Sequence, residues 1–128
     1  MVKIYDIQFE DGADPEPHEI KTALFLKKCG KDVKFLAPKN EDHVKTPDIA
    51  MDRLKWEIKA PISSGSRVIE HALRSATKQS PNVIIDLRRC KLNEEKALRQ
   101  LHHEGTRRGS TLKRLMVITK SKQIVDIK

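Results

Sequence analysis

Thr46-Pro-Asp-Ile-Ala-Met-Asp-Arg-Leu-Lys-Trp-Glu-Ile-Lys-Ala-Pro61 is the stretch whose reading decides the fold. Leu54, Trp56 and Ile58 alternate with Lys55, Glu57 and Lys59, a period of two that gives a strand one apolar and one charged face. Ile49 and Met51 alternate in the same way just before it. If both arms share a core, Met51 must lie opposite Leu54 and Ile49 opposite Trp56, which leaves Asp52-Arg53 as a two-residue hairpin loop. This register sets Asp48 opposite Glu57, with Cβ atoms about 5 Å apart. Two carboxylates and the Lys59 ammonium then gather on a face the core does not need. Like charges held together cost stability without a structural return, which marks a functional site. The plain alternative is the solvated outer face of an amphipathic hairpin.

The 128 residues make one domain, 1–128, with enough chain to bury a real core. Aromatic residues are 4% of the chain, so the core must be aliphatic, with Trp56 its largest piece. No apolar run approaches the roughly 18 residues of a membrane span and no basic-then-apolar leader opens the chain, so neither membrane nor secretory signal is expected. Cys29 and Cys90 stand far apart without a second cysteine or paired histidine at ligand spacing; this argues for a reducing compartment and two small buried side chains. The expected location is cytoplasmic.

Charge is unevenly placed. Residues 1–64 carry 11 Lys and Arg against 12 Asp and Glu, whereas residues 65–128 carry 15 against 6, the main source of the net +8. Such asymmetry suits a polyanion, nucleic acid before membrane. Ordinary solubility charge is the competing explanation.

In chain order, Val2–Phe9 reads as a strand, and Asp14 with Pro15 opens a helix that Gly30 stops. Val33–Leu36 is a short strand and residues 38–45 a polar loop, so 1–44 is a strand-plus-helix region set ahead of the hairpin-containing part, 45–128. After the hairpin, Pro61-Ile-Ser-Ser-Gly-Ser66 is either a phosphate-receiving loop or a helix start capped by Ser64 or Ser66. Arg67–Gln79 is an amphipathic helix, and Asn82–Leu87 a central strand with consecutive apolar residues. Asp86 at its exit is an ion-pair partner for Arg88 and Arg89 or part of a site. A third helix runs from Asn93 to about Gly105 with His102 and His103 exposed, followed by a basic loop, Thr106–Thr111. Leu115–Thr119 and Gln123–Ile127 form a final hairpin across Lys120-Ser121-Lys122. The order is β-α-β-β-β-α-β-α-β-β. Phosphate-binding candidates are Lys55, Ser63, Ser64, Ser66, Arg67, Gln79, Arg88, Arg107, Arg108 and Lys120.

Two chemistries fit these residues. Pro47-Asp48, eight residues, then Glu57-Ile58-Lys59 matches the PD-(D/E)xK pattern of restriction-endonuclease-like enzymes, and the elements around it resemble that superfamily's αβββαβ core. This resemblance implies Mg²⁺ held by Asp48 and Glu57, Lys59 at the attacking water, Gln79 assisting, and DNA or RNA as substrate. The longer blocks KTPDIAMDRLKWEIKAP, the Gly/Ser loop, Ala76-Thr-Lys-Gln-Ser80, NVIIDL, MVITK and QIVDIK together look like the C-terminal tRNase domain of contact-dependent growth-inhibition toxins and related mobile-element domains. The resemblance covers roughly Lys45 to Lys128.

The second resemblance implies a barnase/EndoU/colicin/RelE-like fold: a single small α+β domain whose N-terminal and crossover helices pack on a curved, mainly antiparallel sheet. It implies a metal-independent endoribonuclease, with no cofactor, that cleaves tRNA or other RNA. Carried over by position, Glu57 takes the proton of the ribose 2′-hydroxyl, Lys59 stabilises the phosphate and Thr119 orients a phosphate oxygen, while Asp48 matches the family's PD. Met1–Glu41 lies outside the resemblance; Glu19, His18 and Lys21 are its loose catalytic candidates. Relatives often carry glycine in the hairpin turn, where this chain has Asp52-Arg53 and the paired positive φ values disfavour arginine. A cognate immunity protein and delivery into a target cell's cytoplasm as part of a larger effector are also implied. A catalytically silent RNA- or protein-binding domain of a mobile element is the third reading.

Overall fold

The expected hairpin sits in the middle of the molecule's organisation: β3 (Ile49–Met51) and β4 (Leu54–Lys59) pair antiparallel with Ile49 opposite Trp56 and Met51 opposite Leu54. Asp52 and Arg53 close it with φ of 54° and 64°. Both lie in the left-handed region that a two-residue hairpin loop of matching twist demands. The Trp56 indole N–H donates to the Met51 carbonyl at 2.9 Å, tying the two arms together beneath the turn. The structure is a computed structural model describing residues 2–39 and 46–128; most of the polar loop expected at 38–45 lies outside the described residues.

The remaining elements are β1 (Gln8–Phe9), α1 (Pro17–Lys28), β2 (Lys34–Phe35), α2 (Val68–Ala76), β5 (Asn82–Asp86), α3 (Glu94–Arg107), β6 (Arg114–Ile118) and β7 (Ile124–Asp126). The seven strands form one sheet in sequence order. Pairing is antiparallel from β2 to β4 and between β6 and β7, and parallel for β1–β2, β4–β5 and β5–β6. The central parallel ladder follows from its connections, because α2 and α3 each carry the chain back to start a strand in the same direction. The α+β class and the layering of helices on one sheet are as expected. The run α1-β2-β3-β4-α2-β5 also has the αβββαβ order.

Alternation sorts the core into two layers. Trp56, Ile58, Ile84, Met116 and Ile118 join Ala23 and Leu26 of α1 on one face; Val83, Ile85, Leu115 and Val117 join Ile69 and Leu73 of α2 and Ala97 and Leu101 of α3 on the other. Every residue of β5 is buried, as its uninterrupted apolar run requires of a strand with helices on both faces.

Several boundaries differ from expectation. Only Gln8–Phe9 pairs as a strand near the N-terminus, and Ile4–Asp6 is a 3₁₀ turn. The first helix starts at Pro17 rather than Pro15, with Glu16 as N-cap, because the second proline of DPEP also suits the first helical position. Neither Ser64 nor Ser66 caps α2; Arg67 stands at that position without a side-chain cap. Thr106 and Arg107 belong to α3, and residues 109–111 form a 3₁₀ turn, so the basic loop is shorter than read. Cys29, at the end of α1, is exposed rather than buried; Cys90 is buried. No helix is long and apolar enough to cross a membrane, among the described residues.

Candidate active site

Asp48 lies one residue before β3. Its backbone N–H donates to the Trp56 carbonyl at 3.0 Å, and its Oδ2 accepts from the Ile58 N–H at 2.8 Å. The carboxylate thus takes over the ladder where the backbone pairing ends, and this holds it opposite Glu57 as the hairpin register requires. Glu57 is only 6% exposed. Its face is therefore not the open one the charge alternation implied: α2 packs against this side of β4. Lys59 points the same way, with its Nζ 3.7 Å from Glu57 Oε2, at the outer limit of an ion pair. Glu57 Oε1 is buried without a hydrogen-bond partner.

A third acid completes the group. Glu19, in the first turn of α1, accepts the Glu16 N–H at 2.9 Å through Oε1, the return half of a capping box. Its carboxyl lies within hydrogen-bonding reach of that of Asp48, and the two line a polar cavity of about 70 Å³ with Pro15 and Leu36. Burial first, then the nearby Asp48 charge and weakly that of Glu19, push Glu57 up to about 8, against the opposing pull of Lys59. Burial and Asp48 likewise push Glu19 up to about 7, although its bond to Glu16 pulls the other way. Carboxylates this close and this dry cannot all ionise cheaply.

The chemistry of the donor set suits a hard divalent cation, which takes one or two carboxylates and fills its other positions with water and phosphate oxygens. The unpartnered Glu57 Oε1 and the cavity between Glu19 and Asp48 are consistent with that fit. Among the described residues no three His, Cys, Asp or Glu side chains already surround a common point. Asp48 and Glu57 would be the holders, with Glu19 beside them.

The other expected site residues fall elsewhere. Thr119 is buried just beyond β6, with its hydroxyl engaged by Ser121 Oγ at 2.9 Å and the Gln123 N–H at 3.0 Å. β5 lies between β4 and β6, so two strand spacings, about 10 Å, separate it sideways from Lys59. Gln79 sits in the turn after α2, not on the helix, one residue before Ser80, whose hydroxyl donates to the Lys55 carbonyl. Ser63, Ser64 and Ser66 are exposed in their loop, and Lys55 is exposed on β4. Lys120 reaches the Leu92 carbonyl at 3.3 Å.

All four expected phosphate-binding arginines are paired within the chain. Arg67 pairs with Glu70 at 2.9 Å, Arg88 with Asp86 at 2.8 Å, and Arg107 and Arg108 with the buried Glu104 at 2.8 and 3.0 Å. The ion-pair reading of Asp86 holds for Arg88, whereas Arg89 turns away to the Ala60 carbonyl. Glu19 was within reach of sequence reasoning only as a loose candidate. The signal that identifies it is its place three residues after a proline-flanked N-cap, where a glutamate both caps the helix and faces the hairpin.

The family model of the contact-dependent growth inhibition CdiA C-terminal domain matches residues 45–124. Among solved structures the chain is similar to one in a CdiA-CT/CdiI toxin and immunity complex from Burkholderia pseudomallei. The identity is 18%, the match covers 94% of this chain and 98% of that one, and the TM-score is 0.69. At that identity the likeness is one of fold. No curated protein matches the chain.

Proposed function

The chain belongs to the contact-dependent growth inhibition CdiA C-terminal domain family, a family of toxin domains, and from that premise we propose that this one is an endoribonuclease acting on tRNA. Its centre is Asp48, Glu57 and Lys59, with Glu19 beside them. The observation that carries the proposal is the facing carboxylate pair with a buried, unpartnered Glu57 oxygen and an ammonium two residues on. The net +8 supports a polyanionic substrate.

Of the two chemistries, the arrangement favours hydrolysis assisted by a divalent cation. Such an ion, when bound, supplies positive charge at the scissile phosphate and acidifies a water for attack. Asp48 and Glu57 would hold such an ion, the Ile58 N–H fixes the Asp48 carboxylate, and the Lys59 ammonium would oppose charge developing on the phosphate oxygens. One observation favours the second reading, metal-free attack by the ribose 2′-hydroxyl. A Glu57 pKa of about 8 lies close enough to neutrality for a base that takes the hydroxyl proton. The 2′-oxygen then bonds to phosphorus as the bond from phosphorus to the 5′-oxygen breaks, the leaving oxygen taking its proton from water, and the product ends in a 2′,3′-cyclic phosphate. That reading lacks its third member, since the Thr119 hydroxyl is occupied two strands away.

Digestion of tRNA and of DNA with and without EDTA separates these readings. Cleavage of tRNA that EDTA abolishes and Mg²⁺ restores is the expected result; cleavage that survives chelation with cyclic ends gives the site to the metal-free route. Saturable RNA binding with no cut in any condition overturns the enzyme and leaves a binding module. The solved relative is a toxin with its immunity protein; by the same reading this domain acts in the cytoplasm of a target cell and is neutralised by a cognate immunity protein.

A further inference from the structure

α1 is the one helix packed on its face of the sheet, among the described residues, and it leaves a groove of about 840 Å³ along its flank. The groove runs past Ala60, Asp86 and Lys122, at and beyond the C-terminal ends of β4, β5 and β6. Open α/β sheets bind ligands at that end of their parallel strands. Its wall is apolar at Leu24 and Phe25, and Arg88 lies 4.7 Å from the Phe25 ring centroid. Its rim carries Lys21, Lys28, Arg89 and Lys122. Among the described residues none of these four is in an ion pair. The lone acid in the lining, Asp86, is already neutralised by Arg88.

Two further features bear on the groove. His18 lines it one residue before Glu19, and Ala60 lines it one residue after Lys59, so α1 and the end of β4 each serve both groove and acidic site, although no carboxylate of that site is in the lining. Lys122 holds φ at 65°, a left-handed conformation that a lysine adopts at a cost, in the turn that brings it to the rim. Unpaired cations around an apolar floor are the arrangement that grips a nucleic acid backbone while a splayed base packs on side chains.

We infer that this groove is the substrate's binding channel and takes an unpaired RNA segment next to the scissile phosphate: the phosphates lie against Lys21, Lys28, Arg89 and Lys122, and a base against Leu24, Phe25 and the Arg88 guanidinium. The inference rests on the ribonuclease reading for its substrate. It moves the RNA contact from Arg67, Arg107 and Arg108, which pair with Glu70 and Glu104, to a surface half-built by α1.

The test measures binding on a Glu57→Gln background, by fluorescence anisotropy with a labelled short single-stranded RNA, its duplex, and tRNA across a salt series. Arg89→Ala and Lys122→Gly should each weaken single-strand binding about tenfold. Each should also flatten the dependence of log affinity on log salt by about 0.7. Lys122→Gly relieves the positive φ, so a loss of binding in it is not a loss of fold. Lys96→Ala, on the exposed side of α3, is the control. Groove variants that bind like the parent, or lose no more than Lys96→Ala, overturn the inference. So does equal affinity for the duplex, or a loss confined to a co-purified immunity protein. Groove variants that lose RNA while the unmutated Glu57 protein leaves tRNA intact sink the ribonuclease reading and keep the groove. Wild-type cleavage with groove variants that bind normally does the reverse.

Discussion

Replacing Glu57 by glutamine keeps the size and shape of the side chain but removes the charge that burial and Asp48 oppose. Folding raises this carboxyl from 4.5 to about 8. Between those values the folded state therefore binds more protons than the unfolded chain, and stability falls as pH rises. At pH 7 most of that window has been crossed, which corresponds to about 3 kcal/mol of destabilisation relative to acid pH. Burying a glutamine amide and losing the 3.7 Å Lys59 contact offset part of the relief. The variant should therefore be more stable than the parent by about 1–2 kcal/mol at pH 8, a rise in melting temperature of roughly 5 °C. The gap should close toward pH 4.5, where both forms are neutral, while tRNA cleavage is lost across the range. Thermal melts at several pH values, paired with the cleavage assay, read both. A variant that is less stable at pH 8 and at pH 5 alike would show Glu57 to be a structural group and refute the reasoning.

Asp86 should behave in the opposite sense. Burial pushes its carboxyl up, but bonds from Arg88 and from the Thr22 hydroxyl at 2.6 Å outweigh this and hold it below its usual 3.8. Its stabilisation is present above that value and is lost as pH falls through the folded pKa. Asp86→Ala strands the half-buried Arg88 and should cost about 3–5 kcal/mol in urea titrations at neutral pH, a deficit that shrinks in acid. Arg53→Gly acts on the hairpin turn alone: with φ at 64°, glycine should add about 0.5–1 kcal/mol to the unfolding free energy and leave cleavage unchanged. A destabilised or inactive Arg53→Gly would mean that the arginine itself makes a contact that matters.

The hairpin register was readable because two independent constraints agreed: period-two alternation in both arms, and one core for both apolar faces to enter. β5 was readable for a related reason, an apolar run too short for a buried helix. What was not readable depended on which side chains are buried and on residues gathered from separate segments. Arg107 and Arg108 resemble a free basic patch until Glu104, three and four residues back on the same helix, is seen to be buried under them. The groove draws Lys21, Arg89 and Lys122 from three separate segments, and no local pattern joins them. The pull of Lys-rich and Arg-rich composition toward the second half was real, yet internal pairing consumes much of that charge.

Three buried acids show what distinguishes the site from the scaffold. Asp86 has Arg88 two residues on, Glu104 has Arg107 and Arg108 three and four on, and both acids are held below their usual pKa by those contacts. Glu57 has Lys59 at a spacing no worse, on the same face of the strand, yet the ammonium stays at 3.7 Å, one carboxylate oxygen has no partner, and the pKa moves up instead of down. A fold able to satisfy two buried carboxylates leaves the third unsatisfied beside Asp48 and Glu19. With all three acids ionised the cluster would carry a net −2 with Lys59, and a phosphodiester could not approach it. At neutral pH, protons on Glu57 and Glu19 lower that charge, and an entering cation would displace them. On the proposed reading, the positive charge that Asp86 and Glu104 receive from within the chain would come to Glu57 from outside it.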